Sequence, residues 1–185
     1  FELDEAQEVL DHASIFHPSD TEIEYFRGVI LIYLGENEKA LEVFQYILPF
    51  AEEKENVYFQ LGMASINLGL FAEAIDALKM AIGRNSKNEI AYNELVYCFE
   101  LQINLEGGVE YFNELIDIDP YNHLAWNALG MCYVGLDLFE KAIESFDFSV
   151  TILENFASGW FNLGQANMNL EKYDAAIVSF KNALK

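Results

Sequence analysis

Apolar residues recur along this chain in helical stripes that break and restart at a fixed interval. From Trp126 to Phe146 the sequence reads W-N-A-L-G-M-C-Y-V-G-L-D-L-F-E-K-A-I-E-S-F. Trp126, Leu129, Gly130 and Tyr133 share one face of a helix, and after a short break Ala142 and Phe146 share a face of a second. The pattern returns 34 residues later as Trp160, Leu163, Gly164, Ala176 and Phe180, and 34 residues earlier as Tyr92, Leu95 and Phe112. A fixed period in this range marks a repeat architecture, in which each unit buries its apolar face against the next.

The register needs no gap. A small residue at the crossing of two helices falls at Ala6, Ala40, Ala74, Gly108, Ala142 and Ala176, and a bulky one at Leu10, Phe44, Leu78, Phe112, Phe146 and Phe180. The small residue of the first helix falls at Gly28, Gly62, Gly130 and Gly164, with Val96 in the remaining repeat. Small residues let helices approach closely and large ones fill the space beside them. The pattern predicts about eleven helices in one array over 1–185: a second helix at 1–20, full repeats at 21–54, 55–88, 89–122 and 123–156, and a shortened repeat at 157–185. Punctuation agrees. Asp20, Asn88 and Asn122 stand where helix N-caps belong, Gly35 and Gly69 suit the residue after a first helix, and Pro18 and Pro120 follow second helices. Two repeats depart from the pattern. The first has Glu24 and Arg27 at usually apolar positions. The third has Val96, no glycine at its turn, and Gly107-Gly108 where the second helix opens or is interrupted; we expect it to be the most irregular.

The W-x₂-L-G-x₂-Y spacing, followed by Ala, Phe and Pro, resembles the tetratricopeptide repeat over nearly the whole chain. The resemblance implies an all-α solenoid, a right-handed superhelix of antiparallel helix hairpins. It also implies a protein–protein interaction scaffold that receives a peptide or helical segment in a concave groove. A regulatory or substrate-docking region of a larger enzyme, and a self-associating module, are the alternatives. Function in such a fold lives in sites grafted onto it. By resemblance, the groove is lined by a stripe of each first helix: Tyr25 and Val29, then Phe59 and Met63. It continues through Asn93 and Tyr97, Asn127 and Met131, and Phe161 and Gln165, flanked by Ile32, Ile66, Glu100, Val134 and Met168. The stripe has no Lys or Arg, so a partner's terminal carboxylate would meet no cation to offset its desolvation. It offers aromatic and Met surface at its ends and carboxamides in the middle, which pair with an extended backbone in either sense. In the competing reading, neighbouring helices cover these residues.

Charge narrows the partner. The 185 residues hold 31 acids and 10 bases, a net −21, which repels phosphate backbones and argues against nucleic acid. Residues 88–140 carry ten acids and no Lys or Arg; residues 1–26 carry eight and none. This is either a solvated surface or one that steers a neutral-to-basic partner.

The chemistry-bearing residues form no catalytic constellation. Cys98 and Cys132 are repeat-equivalent, about one helix-packing distance (~8–10 Å) apart, too far for a disulfide, and read as a buried small apolar position. His12, His17 and His123 show no metal-ligand spacing, so no metal or cofactor is expected, and no enzyme. No apolar run approaches the ~20 residues of a membrane span. The chain begins at Phe1 rather than Met, so an upstream segment is expected, and the cytoplasm stands only as the default compartment. The apolar face of Val178, Phe180 and Leu184 has no successor, so a continuation or self-association at that edge is expected.

Overall fold

The computed structural model describes residues 2–17 and 20–185, with the side chains of Glu2, Leu3, Asp4, Gln7 and Asp11 excluded. Pro18, expected to follow the first of the second-type helices, lies outside the described residues. The chain forms two compact units, 1–91 and 92–185. The first contains α1 (Glu2–Phe16), α2 (Thr21–Tyr33), α3 (Asn37–Ile47), α4 (Lys54–Asn67), α5 (Phe71–Arg84) and the first turn of α6 (Glu89–Leu101). The second contains the rest of α6, then α7 (Leu105–Ile118), α8 (His123–Gly135), α9 (Phe139–Ile152), α10 (Ala157–Asn169) and α11 (Tyr173–Ala183). These are the eleven helices that the spacing predicts, and the described residues contain no strand.

The starts of α2, α6, α7 and α8 are capped by short polar side chains that satisfy otherwise free backbone N–H groups. Asp20 Oδ1 accepts from the Glu22 and Ile23 amides at 2.9 and 3.3 Å, with Glu22 and Glu24 in the first turn, where the helix dipole favours anions. Asn88 Oδ1 accepts from the Ala91 amide at 3.2 Å, and Asn122 Oδ1 from the Ala125 amide at 3.0 Å. Asn122 also donates through Nδ2 to the Tyr92 hydroxyl at 2.8 Å, so one side chain caps α8 and anchors α6.

In four of the five hairpins a bulky side chain of the second helix lies directly on a glycine of the first. A methyl group built on Gly28 would come within 2.6 Å of the Phe44 ring, and one on Gly130 within 2.5 Å of Phe146; Leu78 covers Gly62 and Phe180 covers Gly164 in the same way. Around these contacts the cores assemble. In the first unit Leu31, Ala40, Phe44, Ile47, Val57 and Leu61 pack together; in the second, Ala142, Phe146, Val150, Leu163 and Ala166.

The third repeat solves the crossing differently. Val96 is buried where the others have glycine, and Phe112 lies parallel to Tyr92, with ring centroids 6.1 Å apart. The missing side chain has moved to the second helix: a Cβ on Gly108 would meet Cys132 Sγ at 2.9 Å and Phe99 at 3.0 Å. Gly107 and Gly108 therefore open α7, which runs unbroken to Ile118 with Asn104 capping it through the Gly107 amide. Glu24 and Arg27, the departures of the first repeat, form an ion pair at 2.7 Å, and Ser14 Oγ of α1 donates to Glu24 Oε1 at 3.2 Å. The polar pair thus fastens α1 to α2.

The turn between first and second helices carries one left-handed residue in every repeat: Gly35 (φ 78°), Gly69 (73°), Ile103 (52°), Asp137 (58°) and Glu171 (58°). Glycine and, to a lesser extent, Asp tolerate this region; a β-branched residue does not. Ile103 is 93% exposed, so packing returns nothing for its strain. Left-handed geometry costs an L-residue about 1–2 kcal/mol, partly offset in any glycine variant by the entropy of the freer unfolded chain. The Ile103→Gly variant is expected to gain about 1 kcal/mol and melt about 2–4 °C higher. Calorimetry showing an unchanged or lower midpoint would refute the strain.

Candidate functional site

The first-helix stripe is divided between the two units. In the first unit Tyr25 and Val29 project from α2, and Phe59 and Met63 from α4; all four are half-buried. Tyr25 sits edge-on to Phe44, 5.9 Å between centroids, so it leans into the core, and its hydroxyl accepts from Gln60 Nε2 of α4 at 3.4 Å. The flanking Ile32 and Ile66 are also half-buried. This half of the stripe is largely spent on holding α2 to α4.

The second unit is more open. Tyr97 of α6 is 47% exposed, Phe161 of α10 is 51% exposed, and Gln165 is exposed beside them in sequence register. Met131 is half-buried, as is the flanking Val134, while Glu100 and Met168 are exposed. Asn127 departs from the sequence expectation. It is only 2% exposed: its Oδ1 accepts from Asn162 Nδ2 of α10 at 3.0 Å, and its Nδ2 points at Met131 Sδ, 3.6 Å away. A buried carboxamide must find partners, and Asn127 finds them inside the protein. Asn93, its equivalent one repeat earlier, is half-buried and makes no hydrogen bond among the described residues, because the position matching Asn162 is there Ala128. Asn93, rather than Asn127, is the carboxamide left with open donors and acceptors. Ala128 could have signalled this in the sequence once the partner position was known.

Electrostatics in this unit follow burial. Glu94 on α6 has its carboxyl raised above the usual range by desolvation. The Tyr92 phenol is also raised by burial, which outweighs the opposing hydrogen bond from Asn122. Trp126 and Trp160 use their indole N–H groups alike, donating to the Pro120 and Glu154 carbonyls at 3.0 and 2.7 Å. These bonds satisfy exposed carbonyls just beyond the preceding helices, so both tryptophans are structural.

The two cysteines are free and fully buried. Burial pushes the Cys132 thiol up to about 12, and burial with the nearby Glu94 charge pushes Cys98 up to about 11. No group of three or more His, Cys, Asp or Glu side chains able to hold a metal occurs among the described residues, and no helix there is long and apolar enough to cross a membrane.

Helix hairpins at a 34-residue period define a helical-repeat protein. Two family models, both described as Tetratricopeptide repeat, match residues 59–123 and residues 123–152 and 157–185. The chain belongs to the tetratricopeptide repeat family. Solved structures share its fold. The Thermus thermophilus protein TTC0263 is 19% identical, with a TM-score of 0.63 over 89% of this chain and 90% of that one. MamA from Desulfovibrio magneticus is 17% identical, with a TM-score of 0.59 over 89% and 93%. YrrB, described as a tetratricopeptide repeat protein with an unusual peptide-binding site, is 17% identical, with a TM-score of 0.58 over 96% and 92%. No protein of curated function matches the sequence. The fold is that of a protein–protein interaction module and is generally non-catalytic.

The thiols give a direct check on the burial that shapes this unit. A raised thiol pKa keeps the reactive thiolate scarce in the folded state, and the stability so gained is lost as pH rises from the unfolded value, roughly 8.5, toward about 12. At pH 8 a thiol reagent such as DTNB is expected to label neither cysteine until denaturant unfolds the chain. Stoichiometric labelling of the native protein within minutes would contradict the burial.

Proposed function

We propose that this chain is a non-enzymatic scaffold that binds an extended or helical protein segment on its first-helix stripe, with the main contacts in the second unit. The observation that carries this reading is the exposure of Tyr97 and Phe161 at 47% and 51%, with an unpaired Asn93 one turn before Tyr97 on α6. Tyrosine is enriched among the residues that anchor protein interfaces, and an unpaired carboxamide one helical turn from Tyr97 can read a backbone. The YrrB structure, whose description names a peptide-binding site, supports a peptide as the kind of ligand this fold accommodates. The gapless register supports treating 1–185 as one array. The absence of cations in the stripe and the net −21 favour a neutral-to-basic segment with an apolar anchor.

Peptides selected from a displayed random library against the intact chain provide the test. The double variant Tyr97→Ala, Phe161→Ala is expected to weaken the best of them at least about tenfold, since hot-spot aromatics typically contribute about 2 kcal/mol or more each, with the helical circular dichroism retained at the assay temperature. Unchanged affinity would remove the groove from the account.

A further inference from the structure

A concavity lies in the first unit where the starts of α2 and α4 meet the end of α3. Its volume is about 590 Å³, the size of a pocket for one or two side chains. Four carboxylates line it, Asp20, Glu22, Glu52 and Glu53, and no Lys or Arg does. Two of the four are occupied: Asp20 caps α2, and Glu53 Oε2 accepts from Asn56 Nδ2 at 2.6 Å. Glu22 and Glu52 are exposed and have neither a hydrogen bond nor an ion pair among the described residues. Three aromatics, Tyr25, Phe26 and Phe50, share the lining with smaller polar and aliphatic residues. Tyr25 and Phe26 meet edge to face with centroids 5.5 Å apart, and Phe26 and Phe50 are 49% and 67% exposed.

Free carboxylates and open aromatic faces around one cavity call for a ligand that satisfies both. A neutral apolar group would desolvate the carboxylates without compensation, and an anion would be repelled. An ammonium ion is a compact, strongly hydrated charge that gives up water reluctantly. A guanidinium is planar, weakly hydrated, stacks on ring faces and forks onto carboxylates. The same unit already makes half of this arrangement internally, with the Arg84 guanidinium 4.8 Å from the centre of the Tyr58 ring.

We propose that this aromatic, acid-rimmed cavity is a receptor for an arginine side chain presented by a basic segment of a partner protein. The site stands apart from the groove of the second unit: it rests on different residues, and either can fail without the other.

Three dye-labelled peptides test it, each a flexible Gly-Ser chain bearing three arginines, three lysines or three citrullines. Citrulline keeps the shape of arginine and removes its charge. Fluorescence anisotropy is measured with the intact chain at near-physiological salt, where diffuse surface attraction is largely screened. The arginine peptide is expected to bind most tightly. Phe50→Ala, and separately Glu22→Gln with Glu52→Gln, should each weaken it on the order of tenfold. The control pair Glu106→Gln, Glu110→Gln on α7 removes the same charge elsewhere and should change binding by less than about twofold. The groove variant Tyr97→Ala, Phe161→Ala should leave it unchanged. Phe50, Glu22 and Glu52 are exposed, so the variants should keep the wild-type circular dichroism and melting temperature. The proposal is overturned by absence of arginine-peptide binding, by equal binding of the lysine or citrulline peptide, or by a control pair as damaging as the cavity pair.

Discussion

The contact on which this structure depends is a bulky side chain pressed against the bare backbone of a neighbouring helix. Phe44 on Gly28, Leu78 on Gly62, Phe146 on Gly130 and Phe180 on Gly164 leave no room for even a methyl group. Dispersion falls off steeply with separation, so a hairpin that loses this approach loses contacts along both helices. It sets which face of the first helix turns toward the second, and hence which stripe faces away from it. Where the glycine is absent, in the third repeat, the space is recovered on the opposite helix at Gly108, which Phe99 and Cys132 fill. The constraint is on the pair of helices rather than on one residue.

Polar groups do a different job. Buried and half-buried carboxamides, hydroxyls and one carboxylate link the first helices of adjacent repeats, Asn162 to Asn127, Gln60 to Tyr25 and Asn122 to Tyr92, and α1 to α2 through Ser14 and Glu24. Because an unpaired polar group is costly to bury, each link favours one arrangement of its helices over slipped alternatives. The same economy explains the candidate site. A carboxamide that finds a partner within the fold is withdrawn from recognition, as Asn127 is; one whose partner position is occupied by alanine, as for Asn93, stays available. Position in the repeat is therefore a poor guide to availability unless the next repeat is also known.

Two surfaces of different character emerge, each within one unit. The stripe of the second unit is aromatic and amidic, suited to a backbone with an apolar anchor. The cavity of the first unit is aromatic and anionic, suited to a planar cation. Both are consistent with a chain whose acids outnumber its bases by three to one, and they place its charge in particular positions rather than treating it as a uniform coat.

How much of this was legible in the sequence depends on the range of the interaction. The helices, their caps at Asp20, Asn88 and Asn122, the left-handed turns at Gly35 and Gly69 and the glycine–aromatic crossings were all readable. Each involves a local backbone rule or one pair of residues at a constant spacing, repeated often enough to be seen. The tertiary structure alone decided that Asn127 is buried and Asn93 is not, that Glu24 and Arg27 pair under Ser14, and that Phe26 and Phe50 share a cavity with Glu22 and Glu52. These outcomes depend on side-chain rotamers and on three or more residues from different helices, and a sequence period cannot encode what only their simultaneous packing selects.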